Sequence, residues 1–163
     1  MNKFSVMPLI KEHLKTFKKV DDSYIFKDLI IIIGLPIIFM IVMNFLFEGG
    51  LPDVFLNSLL TIFTILTPLL FALLPLVFSL IENERVSSEG RKPLKEFKAN
   101  ILFTIILSFG FLFVLLLCSL GIHKFFLSSL VYFLFMELIL HLCLIIQRFN
   151  ILMDSFINLQ NKI

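Results

Sequence analysis

The sequence predicts an all-α integral membrane protein: four antiparallel transmembrane helices, an amphipathic helix ahead of them and a helical C-terminal extension into the cytoplasm. Three observations predict it. Of 163 residues, 59% are apolar, and the mean hydropathy is +1.02, far above that of a soluble domain of this length. Four stretches, 28–47, 56–81, 100–121 and 124–147, reach the ~20 apolar residues that a bilayer-spanning helix needs. Basic residues fall thirteen to one into alternate segments: before the first span, in the middle loop 82–99 and in the tail 148–163, against Lys124 alone in the short turns. Because basic flanks stay on the cytoplasmic side, the N-terminus, middle loop and C-terminus are expected inside. The whole of 1–163 reads as one membrane domain, since no segment between spans is large enough to bury a core.

The segment 1–27 contains PLIKEHLKTFKKV, whose Leu9, Ile10, Leu14 and Phe17 share one helical face, while Lys11, Lys15, Lys18 and Lys19 surround it. Such a helix can lie on anionic headgroups or dock on a partner. The first span follows this basic segment without a small-residue cleavage site, so it is expected to be a retained anchor. Gly34 and Pro36 invite a bend in it.

In the second span Thr61, Thr64, Pro68, Ala72, Pro75 and Ser79 recur at spacings of three and four, which gathers them on one stripe. Pro68 and Pro75 deprive the carbonyls of Thr64 and Phe71 of their amide donors, and lipid cannot replace them. The stripe is expected to face protein or water, either as a close-packing surface or as a pore lining.

The loop 82–99 mixes four acids with five bases, among them Arg91, Lys92 and Lys95, which suits contact with a protein or the membrane surface. A nucleic-acid site would want a larger basic excess, and none is expected. The third span offers only Asn100, Thr104 and Ser108 as a short polar stripe.

The fourth span carries an apolar seam that runs on through the tail. Leu142, Ile145, Phe149, Leu152, Phe156 and Leu159 alternate at three and four, which predicts a helical tail and an interface with a second copy or another protein. Cys118 and Cys143 read as apolar fillers.

Within this span stand Glu137 and, one turn on, His141. Arg148 marks the inner boundary, so Glu137 lies ~16 Å deeper, near the midplane, where a charge costs about 2.5–3.5 kcal/mol. Three roles compete: glue between helices, a proton or ion pathway, and a sensing element. As glue, the two side chains would be a hydrogen-bonded pair set against the stripe of span two, with Thr64 or its freed carbonyl as partner. The pair lacks further metal ligands, and the chain has no phosphate loop, nucleophile with a base or HExxH motif. No metal, cofactor or enzymatic activity is expected.

At HLCLIIQRFNIL, 141–152, and in the overall layout, the chain resembles the small four-span membrane proteins of phage-defence and phage-exclusion systems. It is similar to the Rex-type proteins in the spacing of His141 and Cys143 and in the Gln147 and Asn150 that follow, each one residue early. It looks also like the Kiwa-type membrane subunits, oligomers that report phage attack to a cytoplasmic DNA-binding partner. The Rex resemblance implies a pore that depolarises the membrane. The Kiwa resemblance implies a homo-oligomeric sensor and anchor in the bacterial inner membrane, which recruits or regulates a cytoplasmic effector. The amphipathic N-terminus and the seam through the tail favour the second, and a small transporter or export accessory is the weakest of the three.

Overall fold

The structure is a computed structural model that describes the backbone of residues 22–48, 50–82, 88–121 and 124–160, with side chains over 31–48, 50–81, 93–121 and 125–153. Four helices occupy nearly all of it: α1 (Asp22–Leu46), α2 (Asp53–Glu82), α3 (Ser88–Ser119) and α4 (Lys124–Gln160). Stretches long and apolar enough to cross a bilayer lie in three of them, at Asp53–Ile81, Pro93–Ser119 and Phe125–Met153. In α1 the apolar stretch Ile31–Leu46 is shorter. The expected span 28–47 and the lysines Lys11, Lys15, Lys18 and Lys19 fall partly or wholly outside the described side chains.

Helix α3 begins at Ser88, within the charged region 82–99, and carries Pro93 inside it. The amide that Pro93 lacks would have bonded the carbonyl of Glu89, close to the polar end of the helix, where water can take its place. At the other end of α3, Gly121 adopts φ 76°, and its amide donates to the carbonyl of Cys118 at 2.9 Å, a left-handed cap that suits a residue without Cβ. The turn after α1 makes the same move at Glu48, φ 50°, with an L side chain in place of glycine.

The principal packing pairs are α1 with α4, α4 with α3, and α3 with α2. Across the bilayer plane the helices therefore stand in the order α1, α4, α3, α2, and α4 has a neighbour on each side. Toward the end of the bundle that holds the α3–α4 turn, Leu59 and Phe63 of α2 meet Phe111 and Leu115 of α3 and Val131 of α4. The rings of Phe63 and Phe111 approach edge to face at 4.8 Å. Further in, Leu70, Leu74 and Val77 of α2 pack with Ile101 and Ile105 of α3 and Ile145 of α4. Lipid tails are as apolar as these side chains, so close packing rather than exclusion of water holds the helices together.

Two apolar or small-residue stripes named in the sequence take different places in the protomer. The buried stripe of α2 is the bulky one, Leu56, Leu59, Phe63, Leu70, Leu74 and Val77, while Thr61, Thr64, Pro68, Ala72, Pro75 and Ser79 are all exposed. Large side chains fill the gap between helices. The small polar ones tolerate the outside because Thr61, Thr64 and Ser79 donate to carbonyls of their own helix, those of Asn57, Leu60 and Leu76, at 2.9, 2.6 and 2.8 Å. The apolar seam of α4 is also spent within the chain. Ile145 packs into the inner cluster and Leu152 against Leu94, while Leu142 is half-buried beside them and Phe149 keeps one face exposed. Up to Leu152 the seam is an intramolecular contact and not a free interface; the side chains of Phe156 and Leu159 lie outside the described residues.

Candidate functional site

Helix α4 carries Glu137 and His141 past α3 in an antiparallel register that can be read from four contacts. Leu152 packs by Leu94, Phe149 by Phe97, Arg148 pairs with Glu96, and His141 lies on Phe103. Each step back along α4 is a step forward along α3, so Glu137 comes level with Leu107 and Ser108.

His141 is 3% exposed, and its ring centroid is 4.9 Å from that of Phe103. Its Nδ1 is 2.8 Å from the backbone carbonyl of Glu137, one turn earlier. A carbonyl only accepts, so Nδ1 carries the proton and donates. The carboxylate oxygen Oε1 of Glu137 is 3.6 Å from the same nitrogen, too far for a hydrogen bond, and its Oε2 is buried with no hydrogen-bond partner. The two residues are therefore joined through the main chain of Glu137, and not by the side-chain hydrogen bond expected of them.

Their neighbours come from α3, not from α2. Asn100, Thr104 and Ser108 are buried one turn apart, and the hydroxyls of Thr104 and Ser108 donate to the carbonyls of Asn100 and Thr104, both at 2.8 Å. The two hydroxyls of the track are thus satisfied within their own helix. Thr64 and Pro68, expected to face Glu137, stand on the outer face of α2 instead, because the bulky stripe claims the inner one. They line a groove of about 420 Å³ with Thr67, Phe71, Phe109 and Leu112. Thr67 is 3% exposed, and its hydroxyl has no hydrogen-bond partner.

Sequence reasoning missed the contacts that fasten the two ends of the bundle. At the end of the bundle where α3 begins, an Arg148 nitrogen lies 3.2 Å from the Glu96 carboxylate, and Lys98 sits over the ring of Phe78, 4.1 Å from its centroid. Lys95, one residue before Glu96, is exposed, and the side chains of Arg91 and Lys92 are outside the described set. At the opposite end the fully buried Tyr132 donates its hydroxyl to the carbonyl of Gly50 at 2.7 Å, between the rings of Phe47 and Phe55. Ser129 of α4 reaches the side-chain oxygen of Asn44 on α1 at 3.1 Å. Tyr132 could have been suspected from the sequence, as a tyrosine in an apolar span has to find a partner for its hydroxyl.

The arrangement holds a partly exposed carboxyl and a buried imidazole between two apolar clusters. A proton could be held there, but the described side chains form no continuous polar path to either surface. Among the described residues no three metal-ligating side chains converge. Compared with family models, curated proteins and solved structures, the chain matches none.

Proposed function

We propose that the protein is an oligomeric sensor and anchor in the bacterial inner membrane that presents its C-terminal helix to a cytoplasmic effector in antiphage defence. The observation that carries this reading is the continuity of α4. One helix of 37 residues, free of proline and glycine, bears the buried Glu137 and His141 and runs on as the tail to Gln160. Every other helix contains a proline. A change in packing around Glu137 would reach the end of the tail, ~35 Å away, as a movement of a stiff rod and not be absorbed at a kink. The division of basic residues supports four spans with both termini inside. The antiphage setting rests on the resemblance at 141–152.

A pore is the second reading, and the outward polar stripe of α2 favours it, since copies arranged around an axis would place that stripe on a lumen. Against it stands the close packing of the protomer, whose described interior is filled by apolar clusters.

Two measurements test the proposal. Asn150→Pro breaks α4 just past the membrane, where proline costs about 3 kcal/mol in a helix interior. It should leave membrane insertion unchanged and abolish phage protection. Chloride or potassium leakage from liposomes containing this chain alone would overturn the sensor and establish the pore.

A further inference from the structure

We infer that the groove between α2 and α3 binds one anionic phospholipid, its headgroup on Lys98 and Lys95 and an acyl chain laid along the groove into the hollow beside Phe109. The inference requires only that α2 and α3 cross the bilayer, whatever the tail recruits. At the mouth of the groove Lys98 of α3 holds its ammonium 4.1 Å from the centroid of the Phe78 ring on α2, so the charge sits where the two helices meet. A ring face covers one side of an ammonium, and its three N–H donors still need oxygen acceptors. Glu96, two residues earlier, is engaged by Arg148 of α4, and among the described residues no carboxylate pairs with Lys98. Lys95, one turn before Lys98, is exposed, and Arg91 stands one turn earlier again. Positions 91, 95 and 98, at spacings of four and three, share one face of α3. Phosphate oxygens are the acceptors that such a basic row at the end of a membrane groove is suited to take.

Below the bases the groove is hydrocarbon. Phe71, Pro75 and Phe78 are exposed along α2, and Phe109 of α3 is exposed opposite Phe71, with ring centroids 5.7 Å apart. Beyond that ring pair lies the hollow of about 420 Å³. The hydroxyl of Thr64 in its wall donates to the carbonyl of Leu60 at 2.6 Å, and that of Thr67 is buried, so the hollow presents an apolar surface. The depth fits as well. Phe71 and Thr64 lie seven and fourteen residues from Phe78, or ~10 and ~21 Å along the helix. One leaflet contributes ~15 Å of hydrocarbon, half of the ~30 Å core. An acyl chain whose phosphate rests on Lys98 therefore ends inside the hollow. A zwitterionic headgroup would bring its own cation against the bases, which selects for net negative charge. A second helix could fill the hollow but would bring no anion to Lys98.

The chain has no tryptophan, so a single one introduced into it reports its own surroundings. Phe109→Trp places the reporter in the wall of the groove, and Ile41→Trp, on the exposed face of α1, is the control. Each full-length variant is reconstituted in phosphatidylcholine vesicles with increasing amounts of a lipid brominated on its acyl chains, either phosphatidylglycerol or phosphatidylcholine. Bromine quenches tryptophan on contact. Half-quenching of Phe109→Trp should need several times less brominated phosphatidylglycerol than brominated phosphatidylcholine, while Ile41→Trp should respond to both alike. Adding Lys98→Gln should raise the phosphatidylglycerol requirement about fivefold, the loss of one lysine beside an anionic headgroup, and Lys98→Arg should restore it. Equal quenching of Phe109→Trp by the two lipids would overturn the inference. So would the same preference at Ile41→Trp, a preference that survives Lys98→Gln, or a Phe109→Trp that neither lipid quenches because a second copy covers the groove.

Discussion

Glu137 shapes its surroundings through two groups with different consequences. Its carbonyl holds the His141 imidazole at 2.8 Å, and any residue at 137 would supply that carbonyl. Its carboxyl, with Oε2 buried and unpartnered, adds a polar group without a compensating bond. Replacement at 137 should therefore leave the ring of His141 in place, and Glu137→Gln and Glu137→Leu are both expected to assemble normally. Phage protection separates the roles. For a sensing element the Gln variant stays protective, while the Leu variant signals constitutively or not at all; for a proton pathway both are equally inactive. His141→Leu removes the Nδ1 donor and the contact with Phe103, and should cost about 1–2 kcal/mol of fold stability, measured as a lower unfolding midpoint in mixed micelles. Tyr132→Phe removes the hydroxyl that reaches Gly50 and should cost about 1 kcal/mol in the same assay. At this scale the sequence was legible for where polar atoms lie and not for what they touch. An acid and a histidine one turn apart signal burial on one face. Whether their link is side chain to side chain or side chain to main chain depends on a few tenths of an ångström in rotamer placement.

Helices α3 and α4 are fastened near the start of α3 by Glu96 and Arg148, with Leu94 on Leu152 just beyond. The pair is 17% and 28% exposed, which leaves it partly screened, so each single replacement should cost about 1 kcal/mol or less. A double-mutant cycle of Glu96→Gln and Arg148→Gln, read by thermal unfolding in detergent, should give a coupling of a few tenths of a kcal/mol that fades in high salt. The spans of α2, α3 and α4 could be recognised in the sequence because twenty apolar residues leave little else to be. Which face of α2 turns inward could not. The small polar stripe and the bulky stripe have the same period and stand about half a turn apart. Spacing alone cannot say that bulk fills the interior while hydroxyls bonded to their own backbone remain outside.

The molecule as a whole carries its basic residues on alternate segments, and reporter fusions should place the 82–99 region and both ends on the cytoplasmic side. An outside position for the middle region would reverse every helix and remove the tail from any cytoplasmic effector. The lateral order α1, α4, α3, α2 was not legible, because apolar helices pack on one another with little preference that composition records. That order also sets a timetable for biogenesis. The first of the four described helices has the last of them as its chief partner, and some 78 residues separate Leu46 from Lys124. At about 5–20 residues per second, the apolar stretch of α1 waits on the order of 4–16 s with its docking surface open. Over that interval a ribosome that stalls within α3 leaves α1 without its chief partner, a helix that membrane proteases and insertion chaperones can recognise as an orphan.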